Sequence, residues 1–106
     1  MDSQIYGMSK QPTPVQLEAV TTMFGALADV PRLKLLLLLA EKDHGVTELA
    51  DLLDEGMTTV SARLQVLHAA RLVARRREGR SIIYSIADDH VLTLVRNALA
   101  HAIERH

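Results

Sequence analysis

The chain has 106 residues, room for one domain with a modest core. It carries no cysteine, which excludes disulfides, thiolate metal sites and thiol redox sensing. Its net charge of −1 argues against a general, sequence-blind nucleic-acid binder.

Residues 1–12 are polar and lack periodicity, so a flexible N-terminal arm is expected there, with one domain over 13–106. No long apolar region opens the chain, and the leucine run at 35–39 is far too short to span a bilayer. A cytoplasmic protein with no membrane partner is expected. Hydrophobic residues make up 48% but aromatics only 3%, so the core must be Leu, Val, Ile, Ala and Met, which favours packed helices.

A first helix is predicted from Pro14 to about Leu27, with Val15, Leu17, Val20, Met23, Phe24 and Leu27 apolar. Asp29 suits an N-cap for a second helix and Pro31 its first turn. That helix carries Leu33 and the 35–39 run and ends near Lys42, Asp43, His44 and Gly45, so His44 reads as a solvated residue at its end. Thr47 is placed to cap a short third helix over 48–53, and Asp54, Glu55 and Gly56 make a turn. A fourth helix starts near Thr58 and runs to about Ala70, with Val60, Leu64 and Leu67 inward. Two aliphatic or β-branched runs, 72–76 and 81–86, are joined by Arg77, Glu78, Gly79 and Arg80 and read as a β-hairpin. A fifth helix follows Asp88 and Asp89. It repeats apolar residues at Val91, Leu92, Leu94, Val95, Ala98, Leu99, Ala102 and Ile103. That stripe is too wide for one side of a small domain, so a homodimer with the first and last helices at its interface is expected.

The fold class is therefore mainly α with a β-hairpin wing. The third and fourth helices make a helix-turn-helix and the hairpin is its wing. Between Arg63 and Arg80 lie six Arg and one Glu, a charge of +5, which leaves −6 for the rest. Such asymmetry marks a local basic patch on an acidic body. In such folds the second helix of the pair enters the major groove of double-stranded DNA. Its groove side would include Thr58, Thr59, Ser61, Ala62, Arg63 and Gln65. Arg63 and Gln65 could read base edges, and hydroxyls could hold phosphate. Arg75, Arg76, Arg77 and Arg80 would straddle a backbone.

In the last helix His90, Asn97, His101 and Glu104 lie along one flank of the apolar stripe. His101 and Glu104 are i,i+3 neighbours, and Asp88 and His90 straddle the helix start. The two pairs cannot share an ion within one copy, because eleven residues rise about 16 Å. Two antiparallel copies would bring Asp88 and His90 of one against His101 and Glu104 of the other. Four N/O ligands suit tetrahedral zinc. The plainer alternative makes Asp88 an N-cap and the others a solvated flank.

The block Leu27-Ala28-Asp29-Val30-Pro31-Arg32-Leu33 resembles the "LADPTRL" block of the ArsR/SmtB family of metal-sensing winged-helix repressors, with the Pro one position late. Residues 59–67 with Leu72-Val73 resemble that family's recognition helix and wing entry, and Gly79-Arg80 with Ile83-Tyr84-Ser85-Ile86 its wing. The resemblance covers roughly 15 to 106. Zinc sensors of the family use Asp-x-His and then, eleven residues after that His, His-x-x-Glu or His-x-x-His; Asp88, His90, His101 and Glu104 match this spacing. The resemblance implies an inter-subunit Zn(II) site in the last helix. It also implies a link from the far nitrogen of His101 to a backbone carbonyl near Arg71. The paired cysteines that other members carry in the third helix are absent, and Ala62-Arg63 stands where Arg-His is common.

The expected function is a metal-responsive transcriptional repressor, not an enzyme, released from operator DNA when Zn(II) fills the inter-subunit sites. The alternatives are a Ni(II)- or Co(II)-responsive regulator of the same fold, with His106 or another group as an added ligand, and a winged-helix regulator without metal.

Overall fold

The computed structural model describes residues 11–105, apart from the Arg105 side chain. Most of the expected N-terminal arm, and His106, lie outside them. The described residues form α1 (Pro14–Leu27), α2 (Val30–Glu41), β1 (His44–Gly45), α3 (Val46–Leu53), α4 (Met57–Ala69), β2 (Val73–Glu78), β3 (Ser81–Ile86) and α5 (Asp89–Arg105). The five helices and the hairpin fall in the expected order. None of these helices is long and apolar enough to cross a membrane.

Local chemistry explains most boundaries. Thr13 caps α1 through a reciprocal pair: its hydroxyl accepts from the Gln16 amide, and the Gln16 side chain accepts from the Thr13 amide. Asp29 caps α2 by accepting from the Arg32 amide at 3.0 Å. The Arg32 guanidinium then turns back onto the last carbonyls of α1, donating to Ala26 at 2.7 Å and Gly25 at 3.3 Å. One residue thus joins the start of α2 to the end of α1. The third helix differs from expectation: its N-cap is Gly45, with no side-chain bond, and the Thr47 hydroxyl instead faces the Met57 sulfur.

The core is aliphatic. Leu35, Leu36, Leu49, Val60, Leu64, Leu67 and Leu72 are fully buried, so α2, α3, α4 and the wing entry share one cluster. Each such side chain stabilises the fold by about 1.5–3 kcal/mol through burial. The all-leucine run of α2 serves two fronts. Leu35, Leu36 and Leu39 face this cluster, while Leu33 and Leu37 face α1 and α5.

β3 is the central strand of a three-stranded antiparallel sheet, order β1-β3-β2. The hairpin is tighter than expected. Pairing continues to Glu78 opposite Ser81, leaving Gly79 and Arg80 as a two-residue turn. Gly79 takes φ 61, where a side chain is disfavoured. β1 is too short to be seen in the sequence, and it corrects the reading of His44. Instead of ending a helix in solvent, His44 pairs with Tyr84 across the sheet and is buried at 5% exposure. Its Nδ1–H donates to the Glu48 carboxylate, one turn into α3. That bond, reinforced by the charges of His44 and Lys42, holds the Glu48 pKa below its ordinary value.

His44→Ala should therefore lower stability by about 1–3 kcal/mol, chiefly from lost packing, since the exposed Glu48 carboxylate regains water. A depressed carboxylate contributes stability above its unfolded pKa and loses it as pH falls through the folded one. Thermal melts of the variant should accordingly have a shallower acid limb than wild type. Equal melts at pH 7 would place His44 outside the packed core.

Candidate functional site

α4 is two-faced. Val60, Leu64 and Leu67 are buried, and the opposite ridge of Thr58, Ala62, Gln65 and Ala69 is exposed. The ridge recurs at i, i+4, i+7 and i+11, as an outward helix face must. Among the expected groove residues, Thr58, Thr59, Ala62 and Gln65 are exposed, whereas Ser61 and Arg63 are half-buried on the two shoulders. Ser61 faces a cleft of about 460 Å³ between the starts of α3 and α4 and the wing, lined also by Thr47, Met57, Arg80 and Ser81. Arg63 on the other shoulder donates from Nη1 to the Glu55 carboxylate at 2.6 Å.

The wing arginines divide into two groups. Arg76 lies on the outer sheet face opposite Ile83. It reaches over the central strand to Asp43 at 2.7 Å and also pairs with Glu78 at 2.7 Å. Those two carboxylates, Asp43 foremost, raise the Arg76 pKa above its ordinary value. Arg75, Arg77 and Arg80 are exposed and make no ion pair among the described residues. The +5 segment therefore presents three unneutralised guanidiniums at the hairpin and one, Arg76, already engaged. Glu55 comes from the turn before α4 and Asp43 from the residue before β1, and neither of these two pairings has a signature in local spacing; only Arg76 with Glu78, two apart on one strand face, does.

At the start of α5 the Asp88 carboxylate accepts from the Val91 amide at 3.0 Å, so Asp88 is an N-cap. The same oxygen lies 3.7 Å from His90 Nδ1, and His90 is 99% exposed. Cap and ligand are compatible roles, since a carboxylate has a second oxygen and further lone pairs. His101 and Glu104 are exposed three residues apart near the other end. Among the described residues no three metal-ligating side chains lie together. A single chain thus brings together Asp88 with His90 and leaves His101 and Glu104 as a separate pair on the same helix. These donors are carboxylates and imidazoles, suited to a borderline metal ion but only two at a time. His101 makes no hydrogen bond to Arg71 within the chain; Arg71 instead closes α4 in the left-handed region at φ 62.

The rest of α5 is sparsely covered. Among its described side chains only Val91 and Val95 are buried, and Leu94, Leu99 and Ile103 are exposed. Phe24, Leu27, Leu33 and Leu37 face Leu94, Ala98, Leu99 and Ala102 across an apolar hollow of about 290 Å³. On α1, Val15, Leu17, Val20 and Phe24 are exposed as well. Contiguous apolar surface of this kind marks an interaction face.

Residues 29–75 match the model of the "Bacterial regulatory protein, arsR family". A transcriptional repressor SmtB homolog from Synechocystis is 39% identical over 89 residues, spanning 84% of this chain and 67% of that protein. The HTH-type transcriptional regulator NmtR of Mycobacterium tuberculosis is 34% identical over 109 residues, spanning 100% of this chain and 91% of that protein. Among solved structures, the homodimeric winged helix-turn-helix domain of Mb0332 from Mycobacterium bovis superposes with a TM-score of 0.85. It has 35% identity and covers 92% of this chain and 93% of that one. These relatives are transcriptional regulators rather than enzymes. Matched in sequence and in fold along most of its length, the chain belongs to the arsR family of DNA-binding bacterial transcriptional regulators.

Proposed function

We propose that this chain is a homodimeric, cytoplasmic repressor whose affinity for operator DNA falls when Zn(II) binds between subunits at Asp88, His90, His101 and Glu104. The observation that carries the reading is the pairing of donors on α5. Each end of one helix presents a carboxylate and an imidazole to solvent, and the apolar face between them is only partly covered, with Leu94, Leu99 and Ile103 exposed. An antiparallel partner helix supplies both cover and missing ligands, forming two sites of one Asp, two His and one Glu. Four ligands favour zinc over Ni(II) or Co(II), which prefer higher coordination. Bound there, the ion would crosslink the two chains at both ends of the paired helices.

The consequence for DNA is one of linkage. A metal ion shifts affinity only by binding one dimer geometry better than another. Crosslinking the last helices restricts how far apart the two copies of α4 can stand, and half-site spacing makes operator binding sensitive to that separation. On the DNA side, Thr58, Thr59, Ala62 and Gln65 would face base edges. Ser61 with Arg80 would line the seat of one backbone strand, and Arg75 and Arg77 would add phosphate contacts.

The isolated protein should sediment as a dimer at micromolar concentration; a stable monomer would remove the shared site. At the wing, Arg77→Ala should lower the slope of log affinity against log salt by about 0.9, the loss of one phosphate contact. Arg76→Ala should change it less, because Asp43 and Glu78 already neutralise that guanidinium. Fluorescence anisotropy over a salt series separates the two, and equal slopes in both variants and wild type would make the wing a solvated surface.

The metal assignment is tested by mixing. His90→Ala and His101→Ala homodimers should each lose tight zinc binding, while their heterodimer, with both lesions in one site, should regain one. Asp88→Asn should keep the helix cap yet weaken zinc, because an amide oxygen still accepts from Val91 but carries no charge. A homodimeric variant that still releases DNA with zinc would rule out the shared α5 site, and a wild-type protein that never responds to metal would favour a metal-independent regulator.

A further inference from the structure

The helix-turn-helix contains an ion pair that bears on sequence reading, and its significance rests on the DNA-binding reading above. Arg63 is the one Arg or Lys on α4, and it sits beside the exposed ridge rather than on it. Its side chain runs back toward the helix N-terminus and donates to Glu55 at 2.6 Å. Helical side chains lean that way in general, so the reach costs no unusual rotamer. Glu55 is itself anchored, its amide donating to the Ala50 carbonyl of α3 at 3.0 Å. The pair is part-shielded, the two side chains being 24% and 34% exposed. The exposed ridge beside it, Thr58, Ala62 and Gln65, is uncharged.

We propose that Glu55 is a specificity-determining residue that withholds Arg63 from the phosphate backbone. A free guanidinium at this shoulder would attract any duplex, because phosphate contacts add affinity without sequence information. Moving Arg63 from Glu55 to a phosphate would strand a carboxylate beside a polyanion, so the exchange is opposed twice: once by the lost pair, once by repulsion. Holding the charge back leaves discrimination to uncharged groups. Gln65 can bond an adenine edge in bidentate fashion, and Ala62 and the Thr58 methyl can pack on thymine methyls. Glu55 touches no DNA in this scheme. It is a positioning residue acting through Arg63.

The test compares wild type, Glu55→Gln, Arg63→Ala and the double variant, all without added metal. Two duplexes are used: one selected from a random library by the wild-type protein, one of scrambled sequence. Anisotropy is read over a salt series, with circular dichroism to establish folding. Glu55→Gln should steepen the salt slope by about 0.9, one added phosphate contact. It should bind the scrambled duplex several-fold more tightly and narrow the ratio between the two duplexes. Arg63→Ala should not lose the slope of a phosphate contact, although its bared Glu55 carboxylate should weaken both duplexes alike, and the double variant, with neither charge, should show none of the steepening of Glu55→Gln. Should Glu55→Gln fail to fold, Arg63→Ala alone decides: a slope lowered by about 0.9 would mean that Arg63 already touches phosphate and overturns the proposal. An unchanged slope in folded Glu55→Gln overturns it equally. Failure of the wild-type protein to select any duplex would instead sink the DNA-binding reading itself.

Discussion

The wing is held to the recognition helix by one reversal of the chain. At the end of α4 the Arg71 amide donates to the His68 carbonyl and the Leu72 amide to the Leu67 carbonyl, both at 3.0 Å. Between them Arg71 adopts φ 62, a conformation that L-residues other than Gly and Asn enter at a cost of about 1–3 kcal/mol. What sustains it is Leu72, driven into the core with no exposure, whose burial contributes about 1.5–3 kcal/mol. The turn directs β2 away from α4 at a fixed angle. Through β2 and β3 it sets where Arg75, Arg77 and Arg80 stand relative to the α4 ridge. Further on, the Ala87 amide bonds the Leu72 carbonyl, so the same residue also fixes the entry to α5.

Much of this was legible from residues alone. Pro14, Asp29 and Pro31 announced two helix starts, Gly79 a hairpin turn, and the spacing of Val60, Leu64 and Leu67 the buried face of α4. These signals are local: each depends on a backbone preference or a period within one element. What escaped depends on distant partners. β1 has two residues, too few for any period, and exists because β3 offers it an edge. His44 became buried only through that pairing. The engagement of Arg76 by Asp43 spans 33 positions, and counting charges cannot separate an engaged arginine from a free one.

The donor set at α5 shows the same division. Spacing put His90 and His101 on one flank of a helix, and the fold keeps them there, at opposite ends. Of the two roles weighed for Asp88 in the sequence, the structure displays the cap, and the ligand role belongs to the proposal. Coordination across two chains is a property of an assembly, and the pattern of one helix encodes only half of it.

α1 exposes most of its apolar residues and buries only Ala26, close to its end. It is attached where the Arg32 guanidinium grips Ala26 and Gly25, backed by Asp29 at 3.7 Å. The clasp does not act alone: Met23, Ala26 and Leu27 pack on the core, and α1 lies against both α2 and α4. Whatever seats on the exposed length of α1 is therefore levered directly on α4, the DNA-facing helix, through that packed end. The geometry of a complex built on α1 is thus transmitted through packing inside each chain as much as through the surfaces that meet.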